Sequence, residues 1–277
     1  MTEPATKQRP ELVAGSGILI IATITAILTG PGQTIGVSVF IDHFVADLNL
    51  SRPQISTAYL IGTLLGSTAM PFVGRFVDRR GVRISQVIVG LLFGFALLFM
   101  STVNGLIMLS IGFIGIRMLG QGSLSMISTV TVQLRFLKQR GLAVGLFAMG
   151  TGGLMALVPI VLNQVIESEG WRSAWRIAAI FIWLTVVPLG AIGLRSMPRP
   201  SDKISADAAT STPLVGMTRQ EAIHSRSFWV IVVMSTTASM LSTAFNFHQI
   251  DLLGDAGLTS SEAVSYTHLT LPTILLV

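Results

Sequence analysis

A charged stretch, Gly74-Arg75-Phe76-Val77-Asp78-Arg79-Arg80-Gly81-Val82-Arg83, stands between two apolar runs, residues 55–73 and 84–103. Each run approaches the ~20 residues that a helix rising about 1.5 Å per residue needs to cross a hydrocarbon core of about 30 Å. A connection this short leaves two such helices one arrangement, an antiparallel hairpin turning at the membrane surface. Gly81 supplies the positive φ that a tight turn needs, and Gly74, lacking a side chain, suits a close approach of two helices.

The rest of the chain agrees with a lipid environment. Of its residues 51% are hydrophobic and 11% charged, with a mean hydropathy of +0.72, where a soluble domain carries roughly a quarter of its residues charged. Seven spans are expected, at residues 15–40, 54–74, 83–103, 105–130, 141–165, 172–194 and 228–247. The first is too long for the apolar core of a signal peptide and is read as a retained span. With the N-terminus in the cytosol, the 18 Lys and Arg residues all fall inside except Arg52, Arg172 and Arg176 outside and Arg117 within the membrane. That asymmetry is what the positive-inside rule requires. The net charge of +5 therefore expresses topology; no soluble basic face exists for nucleic acid. There is no cysteine, which excludes disulfides and thiolate metal sites.

The organisation expected is a cytosolic N-terminus (1–14), a six-helix transmembrane domain (15–194), a cytosolic linker (195–227) rich in Pro, Ser, Thr and charge, and a seventh helix with an outer loop (228–263). Thr218 and Glu221 fit a capping box within the linker, and a surface turn fits equally. Residues 264–277 break the pattern. Val264-Ser265-Tyr266-Thr267-His268-Leu269-Thr270-Leu271-Pro272-Thr273 resembles one reading frame of a transposon-end adapter used in sequencing libraries, so a non-native tail on a truncated chain is expected.

The loop from Gly74 to Arg83 resembles the signature between the second and third helices of the major facilitator superfamily, matching at Gly74, Asp78, Arg79, Gly81 and Arg83. The resemblance implies an all-α integral membrane protein, here the N-terminal six-helix half of a twelve-helix fold plus helix 7. It also implies that this loop is a conformational latch between the halves, with alternating access to a central cavity. The reading from charge alone is a topogenic basic loop, with Arg79, Arg80 and Arg83 pairing with Asp78 or lipid phosphate.

Arg117 lies about twelve residues into the fourth span, near mid-bilayer. A charge there costs about 2.5–3.5 kcal/mol or more, so it must find partners or a cavity. Gln121, Ser125 and Ser128 follow at helical spacing on the same face, making a polar stripe. Arg117-Met118-Leu119-Gly120-Gln121-Gly122 resembles, less specifically, the Arg signature of the superfamily's fourth helix. In the first span Gly30-Pro31-Gly32-Gln33-Thr34 interrupts the helix, as transporters do at binding sites; a packing kink explains it equally. Gln33 and Thr34 are thus candidate substrate contacts beside Arg117, Gln121 and Ser125. Residues 30–42 resemble the bacterial oxalate/formate and monocarboxylate porter branch. The fifth span carries Gly145, Gly150, Gly152 and Gly153, expected to pack closely on another helix, and lacks the proline of the drug/proton antiporters.

Between Asp78 and Glu167 the sequence has no acidic residue, so a carboxylate proton relay has no place in these spans. No metal-ligand spacing, phosphate loop or nucleophile motif occurs, and neither an enzyme nor a cofactor is expected. One interior Arg without an interior carboxylate favours a small organic anion, a monocarboxylate or dicarboxylate, as substrate. The expected protein is a monomeric, multi-pass transporter of the cell's inner membrane, its partners being that substrate and the lipid bilayer. A sensor or scaffold on the same fold is the alternative, as is an inactive fragment.

Overall fold

The computed structural model describes residues 11–197 and 219–255, which fall into two units; the expected linker core, the outer loop from residue 256 and the tail at 264–277 lie outside the described residues. Every regular element described is helical. Among the described residues, six stretches are long and apolar enough to cross a membrane: Glu11–Ser38, Met70–Met100, Leu106–Arg135, Arg140–Glu169, Trp171–Gly193 and Arg226–Phe245.

In the first unit, α1 (Glu11–Ile27) gives way to a 3-10 turn (Gly30–Gly32) and the short α2 (Thr34–Ser38). The first span is therefore broken in two instead of running through residue 40. Pro31 has no N–H to continue the α ladder; the turn closes instead through Gly32 N–H to Thr29 O (2.8 Å) and Gln33 N–H to Gly30 O (2.9 Å). Where an outer loop is expected, the chain forms α3 (Ile41–Leu48), stopped by Asn49 at φ 52°. The helix α4 (Arg52–Thr68) opens on a full capping box between Ser51 and Gln54. That box satisfies two orphan N–H groups.

The second span does not run through to residue 74. It breaks at Ala69, because Pro71 cannot donate to the carbonyl four residues back. α5 (Met70–Met100) then begins, and it is helical on both sides of Gly81, whose φ 78° and ψ 162° make the only non-helical point inside it. The charged connection is thus a one-residue turn with helix running into it from both sides, not an open loop. α6 (Leu106–Ile116), a π-helical segment (Arg117–Leu124) and α7 (Ser125–Arg135) form one continuous stretch. α8 (Arg140–Met155) and α9 (Leu157–Glu169) meet at Ala156, where Pro159 withholds the N–H that Met155 O would accept. α10 (Trp171–Pro188) ends in a second π-helical segment, Leu189–Gly193.

Two Gly-x-x-x-Gly pairs bring helices into close contact. A Cβ on Gly94 would fall inside the Trp183 indole, and one on Gly90 would lie 3.1 Å from Val186, so α5 and α10 meet there. A Cβ on Gly62 would lie 2.8 Å from Phe113, and one on Gly66 3.1 Å from the Met118 nitrogen, joining α4 to α6 and its π-helical continuation. Without a hydrophobic driving force between helices in lipid, such approaches and interhelical hydrogen bonds hold the bundle. Gln86 supplies one bond of each kind, donating to Thr25 Oγ1 (3.1 Å) and to Val186 O (3.2 Å) while buried between α1, α5 and α10. Outward-facing Leu64, Phe72, Phe95, Ile107, Met149 and Leu184 are all at least half exposed, as lipid contact requires.

One end of the bundle is closed by aromatic rings. Phe40 stacks on Trp175 at 4.2 Å and Phe44 meets Trp171 edge-on at 5.3 Å. Trp171 Nε1 donates to Asp47 (2.6 Å), and Arg172 lies over the same indole while donating to Val103 O (2.9 Å). At the opposite end the Glu11 carboxylate accepts from the backbone N–H groups of Leu137, Lys138 and Gln139 at 3.0–3.1 Å. Gln139 returns the tie, accepting from Leu12 N–H at 3.0 Å.

The second unit comprises α11 (Arg219–His224) and α12 (Arg226–Asp255). Trp229 Nε1 donates to Ile223 O (2.8 Å) and stacks edge-on against Phe228. α12 starts two residues before the expected 228 and stays helical past 247 to Asp255, so its last turns replace part of the expected outer loop.

Candidate functional site

Arg117 opens the π-helical segment and is 5% exposed. Three elements converge on its guanidinium. Nε donates to Thr63 Oγ1 of α4 at 2.9 Å, and Nη1 reaches Gly32 O and Thr34 Oγ1 at the break in the first span, both at 3.5 Å. The Tyr59 ring lies beneath it, 4.6 Å from centroid to Cζ, and the Tyr59 hydroxyl donates to Thr34 Oγ1 at 2.7 Å. A desolvated cation over an aromatic face gains about 2 kcal/mol, a substantial part of the cost of placing the charge here. No carboxylate takes part: among the described residues the ion pair is Arg52–Asp42, on the exposed surface.

The local fold makes this geometry. The tight approach at Gly62 and Gly66 brings α4 near enough for the short side chain of Thr63 to reach Arg117. Gly32 lies against the π-helical segment, a Cβ there being 2.7 Å from Ile116 O. The segment itself is supported by Ser123, whose hydroxyl donates to Met118 O five residues back (2.7 Å). π-helical turns of this kind recur at functional sites.

The sequence-predicted site residues fall into two groups. Thr34 joins Arg117. Gln33 turns away from it, donating through Nε2 to Thr29 Oγ1 (2.9 Å) and to Ser125 Oγ (3.1 Å). Gln121 joins neither; its Oε1 is buried without a hydrogen-bond partner. Ser128, the last member of the expected stripe, is spent on its own helix, donating to Leu124 O. The π-helical winding is the reason: it shifts the register, so that residues placed on one face by α-helical spacing diverge beyond Gln121. Tyr59 and Thr63 were not singled out from sequence, although Gly62 and Gly66 in an apolar run carry the signal that α4 approaches another helix.

At the turn inside α5, Gly81 occupies the Gly-only backbone region. Arg83 does not face Asp78; its Nε donates to Ala191 O (3.1 Å) in the π-helical end of the sixth span, where a cation meets helix-terminal carbonyls favourably. Asp78, Arg79 and Arg80 are exposed, and Asp78 makes no ion pair among the described residues. A Cβ on Gly74 would meet nothing within 4 Å, so no close approach is made there within these residues. The same holds for Gly145, Gly152 and Gly153, while Gly150 alone of the α8 set packs tightly, 3.2 Å from Thr23. The expected fifth-span packing is therefore absent at three of four positions, because Gly145, Gly152 and Gly153 lie on the exposed face of α8. Tight glycine contacts are made on other elements, among them α1 at Gly15, α4 at Gly62, α5 at Gly94 and α6 at Gly112.

The profile of the Major Facilitator Superfamily matches residues 8–276. The chain belongs to this superfamily. Members are in general membrane transporters and not enzymes, and the apolar helices make this one a multi-pass membrane protein. No curated protein matches the chain. The family match continues through residues 264–276, the stretch whose sequence resembles an adapter.

Proposed function

We propose that this superfamily member is a secondary active transporter of a small organic anion, a monocarboxylate or dicarboxylate, working by alternating access. The observation that carries the reading is Arg117: a guanidinium 5% exposed, held by hydroxyls, a carbonyl and a ring, with no carboxylate to neutralise it among the described residues. A mobile anion completes such a site, whereas a cation would be repelled from it. Thr34 and Gln33 sit at a helix break and Ser125 on the facing helix, where backbone irregularity borders a transport path. On this reading the six spans up to residue 194 are one half of a twelve-helix monomer in the cell's inner membrane. The N-terminus and the Arg75–Arg83 turn face the cytosol, and that turn, through Gly74, Asp78, Arg79, Gly81 and Arg83, latches against the other half.

Uptake of labelled formate, acetate and oxalate into proteoliposomes tests it. At least one of the three is expected to accumulate, and Arg117→Gln to reduce that uptake by more than about tenfold while the protein still unfolds cooperatively on heating. Full uptake by a folded Arg117→Gln protein would overturn the reading; binding retained without any uptake would favour a sensor.

A further inference from the structure

The π-helical segment of the fourth span is held from outside by the break in the first. An i→i+5 winding is rare and mostly confined to single turns, so eight residues of it, Arg117–Leu124, need support. Part of that support is internal. Thr23, Ser110, Ser128 and Thr131 in other helices donate to the carbonyl four residues back. Ser123 donates five back, to Met118 O, and Ser125 Oγ donates to Gly120 O at 3.5 Å, the carbonyl that its own N–H takes to close the last wide turn. The rest comes from residues 29–33. A Cβ on Gly32 would lie 2.7 Å from Ile116 O, and one on Gly120 3.3 Å from Gly32 Cα, so the break seats directly on the segment. Gln33 then pins its far end. Nε2 donates to Ser125 Oγ (3.1 Å) and to Thr29 Oγ1 (2.9 Å), whose own hydroxyl is spent on Ala26 O. Both hydrogens of that amide are thus used.

We propose that Gln33 is a positioning residue, a register lock that keeps the fourth span in its π-helical form and so sets where Arg117 stands. The span is fixed at two points. Before the segment Phe113 packs on Gly62 of α4, where a Cβ would lie 2.8 Å away; after it Ser125 is tied to Gln33. Between these points the wide turns are kept, since a change of register by one residue turns α6 against α7 by about 100°. With Ser125 released, the segment rewinds to the commoner i→i+4 ladder, and Arg117 at its start loses its alignment with Thr63 Oγ1 and Gly32 O. The lock joins two irregular segments 92 residues apart in sequence, and it gives Gln33 a role that needs no contact with substrate. Its consequence for uptake rests on the anion reading above; the lock itself does not.

Amide hydrogen exchange read by mass spectrometry on the full chain in detergent tests this, because it resolves local opening peptide by peptide. Gln33→Leu, of similar size, is expected to raise exchange at least about tenfold in peptides covering 117–125, the effect of losing two hydrogen bonds. Peptides covering 84–100 and 171–188 are expected to keep wild-type rates. Ser125→Ala is expected to give the same local rise, and Ser125→Thr, which keeps the hydroxyl, to stay at the wild-type rate. Gln33→Leu combined with Ser125→Ala is expected to add nothing to either alone, as two ends of one contact require. Wild-type exchange at 117–125 in Gln33→Leu, an equal rise in every helix, or a Ser125→Thr protein that behaves as Ser125→Ala would overturn the lock. If Gln33→Leu does not fold, the two Ser125 variants decide. No step uses a substrate, so these outcomes leave the anion reading standing, and full uptake by a folded Arg117→Gln protein rejects that reading without touching the exchange pattern.

Discussion

Two residues with similar sequence signatures have different physical roles. Gly81 is bound by backbone geometry: at φ 78° and ψ 162° a Cβ is strained, and Gly81→Ala is expected to cost about 1–3 kcal/mol, read as a lowered thermal midpoint in detergent. An unchanged midpoint would show that the turn relaxes freely. Asp78, three residues earlier, is exposed and makes no ion pair within its own unit, so its removal should leave stability alone. If the turn is a latch, Asp78→Asn shifts the resting population toward inward-open by about 1–3 kcal/mol. Cysteine probes on the cytosolic side should then react faster in the variant; equal rates would reject the latch. Both residues were legible in sequence, since a charged Gly-bounded turn between spans has few readings. The partner of Arg83 was not, because Ala191 O lies 108 residues away and any helix-terminal carbonyl could have served.

Helices in this protein are joined by glycine pairs and broken by prolines, and the two signals differ in reach. Of the prolines, Pro31 alone was expected to interrupt a span, and the spans expected at 54–74, 141–165 and 172–194 run through the others. Pro31, Pro71, Pro159 and Pro188 each coincide with a break or a π-helical turn; the cause is local, a missing N–H. The glycine signal is not local, since a small residue shows that a neighbour can approach, not which helix has one there. Thus the many glycines of α8 drew attention, yet Gly145 and Gly152 face open space, while Gly94 holds the Trp183 indole and Gly62 the Phe113 side chain. Gly94→Leu is expected to collide with Trp183, and overpacking of this kind costs about 1–3 kcal/mol or more. A fall in the yield of monodisperse protein and in thermal midpoint checks it; a wild-type midpoint would mean that α5 and α10 separate at little cost.

For the molecule as a whole, the arrangement of charge predicts sidedness that can be measured cleanly, because the chain has no native cysteine. Asn104→Cys, at the turn between α5 and α6, is expected to react with a membrane-impermeant maleimide added outside intact cells. Lys138→Cys, between α7 and α8, is expected to react only after permeabilisation; the reverse pattern would invert the topology. The span expected at 54–74 is the shorter α4, which is not among the six apolar spans. Membrane class, those six of the seven expected spans and their order, the hairpin at Gly81 and the isolation of Arg117 were determined by the sequence itself. They follow from quantities summed along the chain: apolar length against bilayer thickness, and the cost of a charge in lipid. Only the tertiary structure decided that Tyr59 and Thr63 hold Arg117, that Gln33 and Ser125 pair apart from it, and that Gln121 keeps an unsatisfied oxygen. Those outcomes depend on one π-helical change of register and on two helices meeting at glycines far apart in sequence. No periodicity along a single chain encodes such meetings.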